Sequence, residues 1–185
     1  MCEECFHKME PKFIEFKIDD IQGLAIYEYN EEIKKLIYTY KGCYDYELKD
    51  VFLDRYKNYL KLIYHGYVIV PIPSSKSDDT KRGFNHVDEI AKTLALPIHY
   101  VLEKIKNIKQ SSLSYKDRLN SKNNLSIKNG EMIANKKVLI IDDVYTSGAT
   151  VRHAIELVKS VGAKKIKVLV VSKTIDLQKR GKQEY

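Results

Sequence analysis

Val138-Leu139-Ile140-Ile141-Asp142-Asp143-Val144-Tyr145-Thr146-Ser147-Gly148-Ala149-Thr150 passes from pure hydrocarbon through two carboxylates to a string of hydroxyls. Its first four residues are apolar and mostly β-branched, which suits a strand buried on both faces, as in a parallel sheet covered by helices. Adjacent like charges are costly in a core, so the chain is expected to emerge at Asp142, at the carboxyl end of its strand, where open α/β sheets place ligands. Thr146, Ser147 and Gly148 then turn the chain into a helix. Val151, Ala154, Ile155 and Val158 line one face of that helix, and Gly162 stands where it should stop.

Such a turn leaves backbone N–H groups unpaired at a helix amino end, and the hydroxyls of Thr146, Ser147 and Thr150 surround them with short neutral donors. A phosphate fits there. The neighbouring carboxylates offer acceptor oxygens, suited to vicinal sugar hydroxyls or to the waters on a hard cation such as Mg²⁺. A ribose 5-phosphate meets both demands. The plain alternative is an ordinary strand-to-helix junction with exposed Asp and Thr caps. The whole run resembles the phosphoribosyl-pyrophosphate (PRPP) motif of type I phosphoribosyltransferases.

The 185 residues suffice for one main core with a small appendage. A hydrophobic content of 44% is that of a globular protein, and the excess of Lys plus Arg over Asp plus Glu, 32 against 25, gives a net charge of +7. That excess favours polyanionic partners, PRPP itself or nucleic acid, although the basic residues are scattered and suit solvated helix faces. No apolar run is long enough to span a membrane and the start is unlike a signal peptide, so a cytoplasmic protein without membrane insertion is expected. Three cysteines argue against a disulfide framework.

Along the chain, Cys2 and Cys5 form a single C-x₂-C with His7 nearby. Structural zinc wants four ligands, so this is half a site. Ile14, Phe16 and Ile18 alternate as an edge strand would. Leu24 to Tyr29 is a second strand, after which Asn30 caps a helix carrying Ile33, Leu36, Ile37 and Tyr40. A further helix is expected from about Tyr46 towards Leu62. Tyr67 to Val70 is a strand closed by Pro71-Ile72-Pro73, and the loop from Ser74 to Asn85 carries Lys76, Lys81 and Arg82, cations able to hold a pyrophosphate. Val87, Ile90, Ala91 and Leu94 mark a helix, and Ile98 to Leu102 a short strand. The polar stretch 106–128 is too long for a plain connection and is expected to be a lid, with Ser114 and Asp117 capping a short helix inside it. Lys165 to Ser172 supplies a last core strand. His86, His99 and His153 carry no signal that separates them from surface or core histidines.

Pro71-Ile72-Pro73, Arg82-Gly83-Phe84-Asn85, Gln110 with Leu113 and Arg118, and then the PRPP motif stand in the order seen in ComF-like competence proteins, which this chain resembles from Gly23 to Lys173. That family carries an amino-terminal zinc module with two or more C-x₂-C knuckles, of which only Cys2 and Cys5 are found here. The resemblance implies an α/β type I phosphoribosyltransferase-like fold: a parallel sheet flanked by helices, with a small amino-terminal segment or hood and a mobile loop. Residues 1–22 then read as the remnant of a zinc module, 23–175 as the phosphoribosyltransferase-like domain and 176–185 as a flexible tail.

Carried over residue by residue, the resemblance puts Asp142 and Asp143 on the ribose hydroxyls, with Mg²⁺ held through water. Tyr145, Thr146, Ser147, Gly148, Ala149 and Thr150 would bind the 5-phosphate, and Ser74 and Ser75 the pyrophosphate. Arg82 and Arg118 would neutralise the leaving group, and a base pocket would form near Val171 to Thr174. Three functions follow. One is a PRPP-binding factor in competence that handles incoming single-stranded DNA beside a helicase; the others are an active transferase on a nucleobase or amine, and a PRPP-sensing regulator that binds nucleic acid.

Overall fold

The computed structural model describes residues 9–43, 45–74, 79–80, 83–105 and 125–175. The strands are β1 (Ile14–Ile18), β2 (Ile21–Glu28), β3 (Tyr67–Pro71), β4 (Leu102–Lys104), β5 (Leu125–Ile127), β6 (Lys137–Tyr145) and β7 (Lys165–Lys173). The α-helices are α1 (Glu31–Gly42), α2 (Lys57–Ile63), α3 (His86–Lys92) and α4 (Ala149–Ser160). Cys2, Cys5 and His7, Ser75, Lys76, Lys81 and Arg82, the stretch 106–124 with Gln110, Leu113, Ser114, Asp117 and Arg118, and the tail 176–185 lie outside the described residues.

The central sheet has the order β1-β2-β7-β6-β3. β2, β7, β6 and β3 are parallel and β1 closes one edge antiparallel, joined to β2 through a tight turn. Alternation along each strand sorts the core into two layers. Leu139, Ile141, Leu169 and Val171 pack with Ile33, Ile37 and Tyr40 of α1, Leu60 of α2 and Ile90 of α3. Val138, Ile140, Val168 and Val170 pack with Val151, Ala154, Ile155 and Val158 of α4. The parallel sheet flanked by helices is therefore the one expected.

Three local expectations are corrected. The single helix expected from Tyr46 towards Leu62 is broken into 3₁₀ segments at Tyr46–Val51 and Asp54–Tyr56, followed by α2. The Tyr27 hydroxyl donates to the Phe52 carbonyl at 3.3 Å, while the Tyr56 N–H donates to Leu53 O at 2.9 Å, a three-residue step in place of the four-residue ladder. The strand expected at Ile98 to Leu102 is shifted: Ile98 forms one isolated bridge to Ile69, and Leu102–Lys104 pairs antiparallel with Leu125–Ile127 in a separate small sheet. Thirdly, β6 does not end at Ile141. Asp142, Val144 and Tyr145 still pair with Val170, Ser172 and Lys173 of β7, whereas β3 stops at Pro71, opposite Ile141. The acidic pair thus stands on a strand end that is zipped on one side only. Among the described residues no helix is long and apolar enough to cross a membrane.

Candidate functional site

The carboxyl end of β6 leads through Thr146, Ser147 and Gly148 into α4. Gly148 is the cap and takes φ +74°, a left-handed conformation that favours glycine. A Cβ built on it would lie 2.3 Å from the Tyr145 Oη. The first turn of α4 has no side-chain cap; only the Ala149 N–H finds a nearby hydroxyl, Ser147 Oγ at 3.4 Å. Thr146, Ser147, Ala149 and Thr150 are exposed. Together with Asp142, Val144, Tyr145, Gly148 and Val151 they line a recess whose surface is mostly polar. The positive end of the helix dipole, unpaired main-chain amides and three hydroxyls converge there, a set of donors matched to an oxyanion.

The two carboxylates do different things. Asp142 lines the recess, and its Oδ1 accepts the Asp143 N–H at 2.9 Å. Burial, and then the charge of Asp143, push its carboxyl well above the ordinary range. Asp143 is buried and turns to the other side, where its Oδ2 accepts from Lys41 Nζ at 2.6 Å and lies 3.3 Å from His86 Nε2. Its Oδ1 accepts the Val144 N–H at 2.7 Å. Burial alone would raise Asp143, but the His86 hydrogen bond and the Lys41 ammonium outweigh it and hold this carboxyl well below the usual range.

Beside β6, the exit from β3 is tied down by side chains. Ser74 Oγ donates to Asp79 Oδ1, Asn85 Nδ2 donates to Asp79 Oδ2 at 3.1 Å, and Asn85 Oδ1 caps α3 by accepting from the Val87 and Asp88 N–H groups, each at 3.1 Å. On the β7 side, the Thr174 N–H donates to Tyr145 O at 3.1 Å, and Ser172 is fully buried with no partner for its Oγ among the described residues. No group of three or more His, Cys, Asp or Glu side chains is placed to hold a metal ion among the described residues. One carboxylate facing the recess nevertheless suits Mg²⁺, which keeps most of its waters and takes other oxygens from a phosphorylated ligand.

The structure therefore brings Asp142, Tyr145, Thr146, Ser147, Gly148, Ala149 and Thr150 around one recess, with Ser74 at the neighbouring strand exit, and places Asp143 behind them. Lys41 is not singled out in the sequence, and His86 carries no signal there that sets it apart from a surface or core histidine. Lys41 sits in the last turn of α1, where a lysine reads as a dipole partner, and His86 directly follows the cap Asn85.

The phosphoribosyl transferase domain family matches residues 68–184. The chain belongs to that family. Competence protein ComFC of Streptococcus pneumoniae is 36% identical over 143 residues, 77% of this chain and 64% of the relative. Competence protein ComFC of Bacillus subtilis is 33% identical over 135 residues, 72% of this chain and 56% of the relative. The chain thus spans about three-fifths of the length of these relatives. A hypoxanthine phosphoribosyltransferase from Staphylococcus aureus resembles it at 19% identity and a TM-score of 0.42, over 69% of this chain and 73% of that one.

Proposed function

We propose that the recess at the amino end of α4 binds PRPP. The 5-phosphate would lie on the amides and hydroxyls of residues 146–150 and the ribose against Asp142, with Mg²⁺ held through water by that carboxylate and by the ligand's own oxygens. Ser74 and Ser75 would face the pyrophosphate, with Arg82 and Arg118 neutralising its charge. The observation that carries this reading is the coincidence, in one polar recess, of an uncapped helix amino end, three exposed hydroxyls and a half-buried carboxylate. Phosphate alone would not need Asp142, and an ordinary junction would not need to leave the first turn uncapped.

As a transferase the site needs no covalent nucleophile. Binding would align the anomeric carbon, donors would stabilise the departing pyrophosphate, and an incoming nitrogen would attack the opposite face. The relatives named as competence proteins support a place in competence, and the role proposed within it is the handling of incoming single-stranded DNA. One observation favours that nucleic-acid reading: Lys136, Lys137, Lys164, Lys165 and Lys167 gather at the amino end of β6 and β7, and among the described residues none of them pairs with a carboxylate.

Calorimetric titration with PRPP and MgCl₂ tests the site. Micromolar binding is expected, lost at least tenfold in Asp142→Asn, and unchanged binding in that variant would sink the assignment. A screen of nucleobases for PRPP-dependent pyrophosphate release then separates an active transferase, which turns over with one of them, from a binding protein, which turns over with none.

A further inference from the structure

We infer that Lys41 and His86 are positioning residues of the PRPP site: by clamping Asp143 they hold the one-sided end of β6, and with it Asp142 and the phosphate turn, in place against Ser74 and Asp79 beyond β3. The inference rests on the functional reading above. Asp142 lines the recess, whereas the Asp143 carboxylate is not part of that lining and is engaged instead by Lys41 and His86. Past Ile141, β6 has lost β3 as a neighbour, and nothing in the sheet steadies that flank. The Asp143 carboxylate takes over the task. It accepts from Lys41 Nζ at 2.6 Å, from the last turn of α1, and lies 3.3 Å from the Nε2 of His86, the first residue of α3.

The clamp also reaches the other half of the site. His86 follows Asn85, whose amide holds Asp79, which in turn accepts from Ser74 at the exit of β3. Asp143 therefore joins the end of α1 and the start of α3 through its side chain, and the exit of β3 through the His86–Asn85 main chain and the Asn85–Asp79–Ser74 hydrogen bonds. Its own side chain is 11% exposed and that of Lys41 39% exposed, so solvent reaches the lysine while the acid stays enclosed. At metal sites, partners that orient a ligating group from behind typically cost about 10–100-fold in affinity or activity when removed, and a loss of similar order is expected here.

The test is a double-mutant cycle on PRPP affinity, read by calorimetry with Mg²⁺ well below the melting temperature of each variant. Lys41→Met and Asp143→Asn should each weaken PRPP binding about tenfold, and the double variant should bind no more weakly than Asp143→Asn, because the lysine acts through the acid. His86→Leu should weaken binding likewise, and His86→Gln, which keeps a donor, should restore most of it. Additive losses in the cycle would mean that Lys41 touches the ligand itself and would overturn the inference, as would unchanged binding in the Lys41 and His86 variants. Lys41→Met is exposed enough to keep the test open should Asp143→Asn fail to fold. If the unmodified protein binds no PRPP, the functional reading falls and takes this inference with it; if it binds and the Lys41 and His86 variants bind equally well, the inference falls alone.

Discussion

Gly148 and Asp143 show how single residues set the recess. At Gly148 the φ of +74° and the 2.3 Å approach of any Cβ to Tyr145 Oη act together, and the Tyr145 ring cannot swing away freely because it packs on Phe16 at 4.8 Å between centroids. Gly148→Ala is expected to cost about 1–3 kcal/mol in urea unfolding and to weaken PRPP binding, because the helix amino end must shift to admit the methyl. A variant with unchanged stability and affinity would show that the turn is not under this constraint. Asp143 makes a pH prediction. Its folded pKa is depressed, so its contribution to stability is fully present above the ordinary value of about 3.9 and is lost as pH falls through the lower folded value. Asp142 is raised instead, so its contribution is present below the ordinary value and fades as pH rises through the folded one. Asp143→Asn should therefore cost about 1–3 kcal/mol at pH 7, less than for a fully enclosed pair because Lys41 is partly solvated. The same variant should flatten the acid limb of a melting-temperature profile below pH 4, and an unaltered limb would argue against the pair as its source.

α3 owes its start to Asn85, whose side-chain oxygen accepts two main-chain N–H groups while its amide holds Asp79. Asn85→Ala is expected to cost about 1–2 kcal/mol, and Asn85→Ser, which keeps the cap but drops the amide, should recover part of the stability without recovering PRPP affinity. Equal recovery of both would separate the cap from the loop. Asn85 was legible in sequence only as part of the Arg-Gly-Phe-Asn run. More generally, elements whose signal is local were readable: the apolar run Val138 to Ile141, the stripe Val151, Ala154, Ile155 and Val158, and Asn30, whose Oδ1 accepts the Ile33 N–H at 2.9 Å. What failed was decided at a distance. The segment after Tyr46 has an adequate helical stripe, yet it breaks where the Tyr27 hydroxyl takes the Phe52 carbonyl. The extension of β6 through the acidic pair depends on a β7 longer than β3. The Lys41–Asp143 contact joins residues 102 positions apart, and no window along the chain can display it.

The whole molecule has two chemically distinct ends. At the carboxyl ends of the strands lies the recess; at the amino ends stand Tyr67, Lys137 and Lys165, side by side on β3, β6 and β7. Lys137 Nζ sits 5.9 Å from the Tyr67 ring centroid, and Lys167 Nζ lies 5.8 Å from that of Tyr64 and 5.9 Å from that of Tyr67. These rings are buried and so unavailable to stack on bases, but they fix ammonium groups at the surface without neutralising them. With Lys136 and Lys164 joined by a main-chain bond of 2.8 Å, a large part of the excess of +7 is concentrated on one edge. A phosphate backbone tracking that edge would be held by charge alone, so binding should be independent of sequence and should fall steeply with salt, by about 0.7 in log–log slope for each phosphate neutralised. Replacing Lys137, Lys165 and Lys167 by Glu should weaken binding of a single-stranded oligonucleotide at least tenfold in fluorescence anisotropy at low salt. PRPP affinity should stay as it was, because β6 separates the two ends by about 25 Å, beyond the screening length at physiological salt. Equal DNA affinity in the charge-reversed protein would remove this edge from the nucleic-acid reading, whereas a parallel loss of PRPP binding would mean that the two ends are not independent.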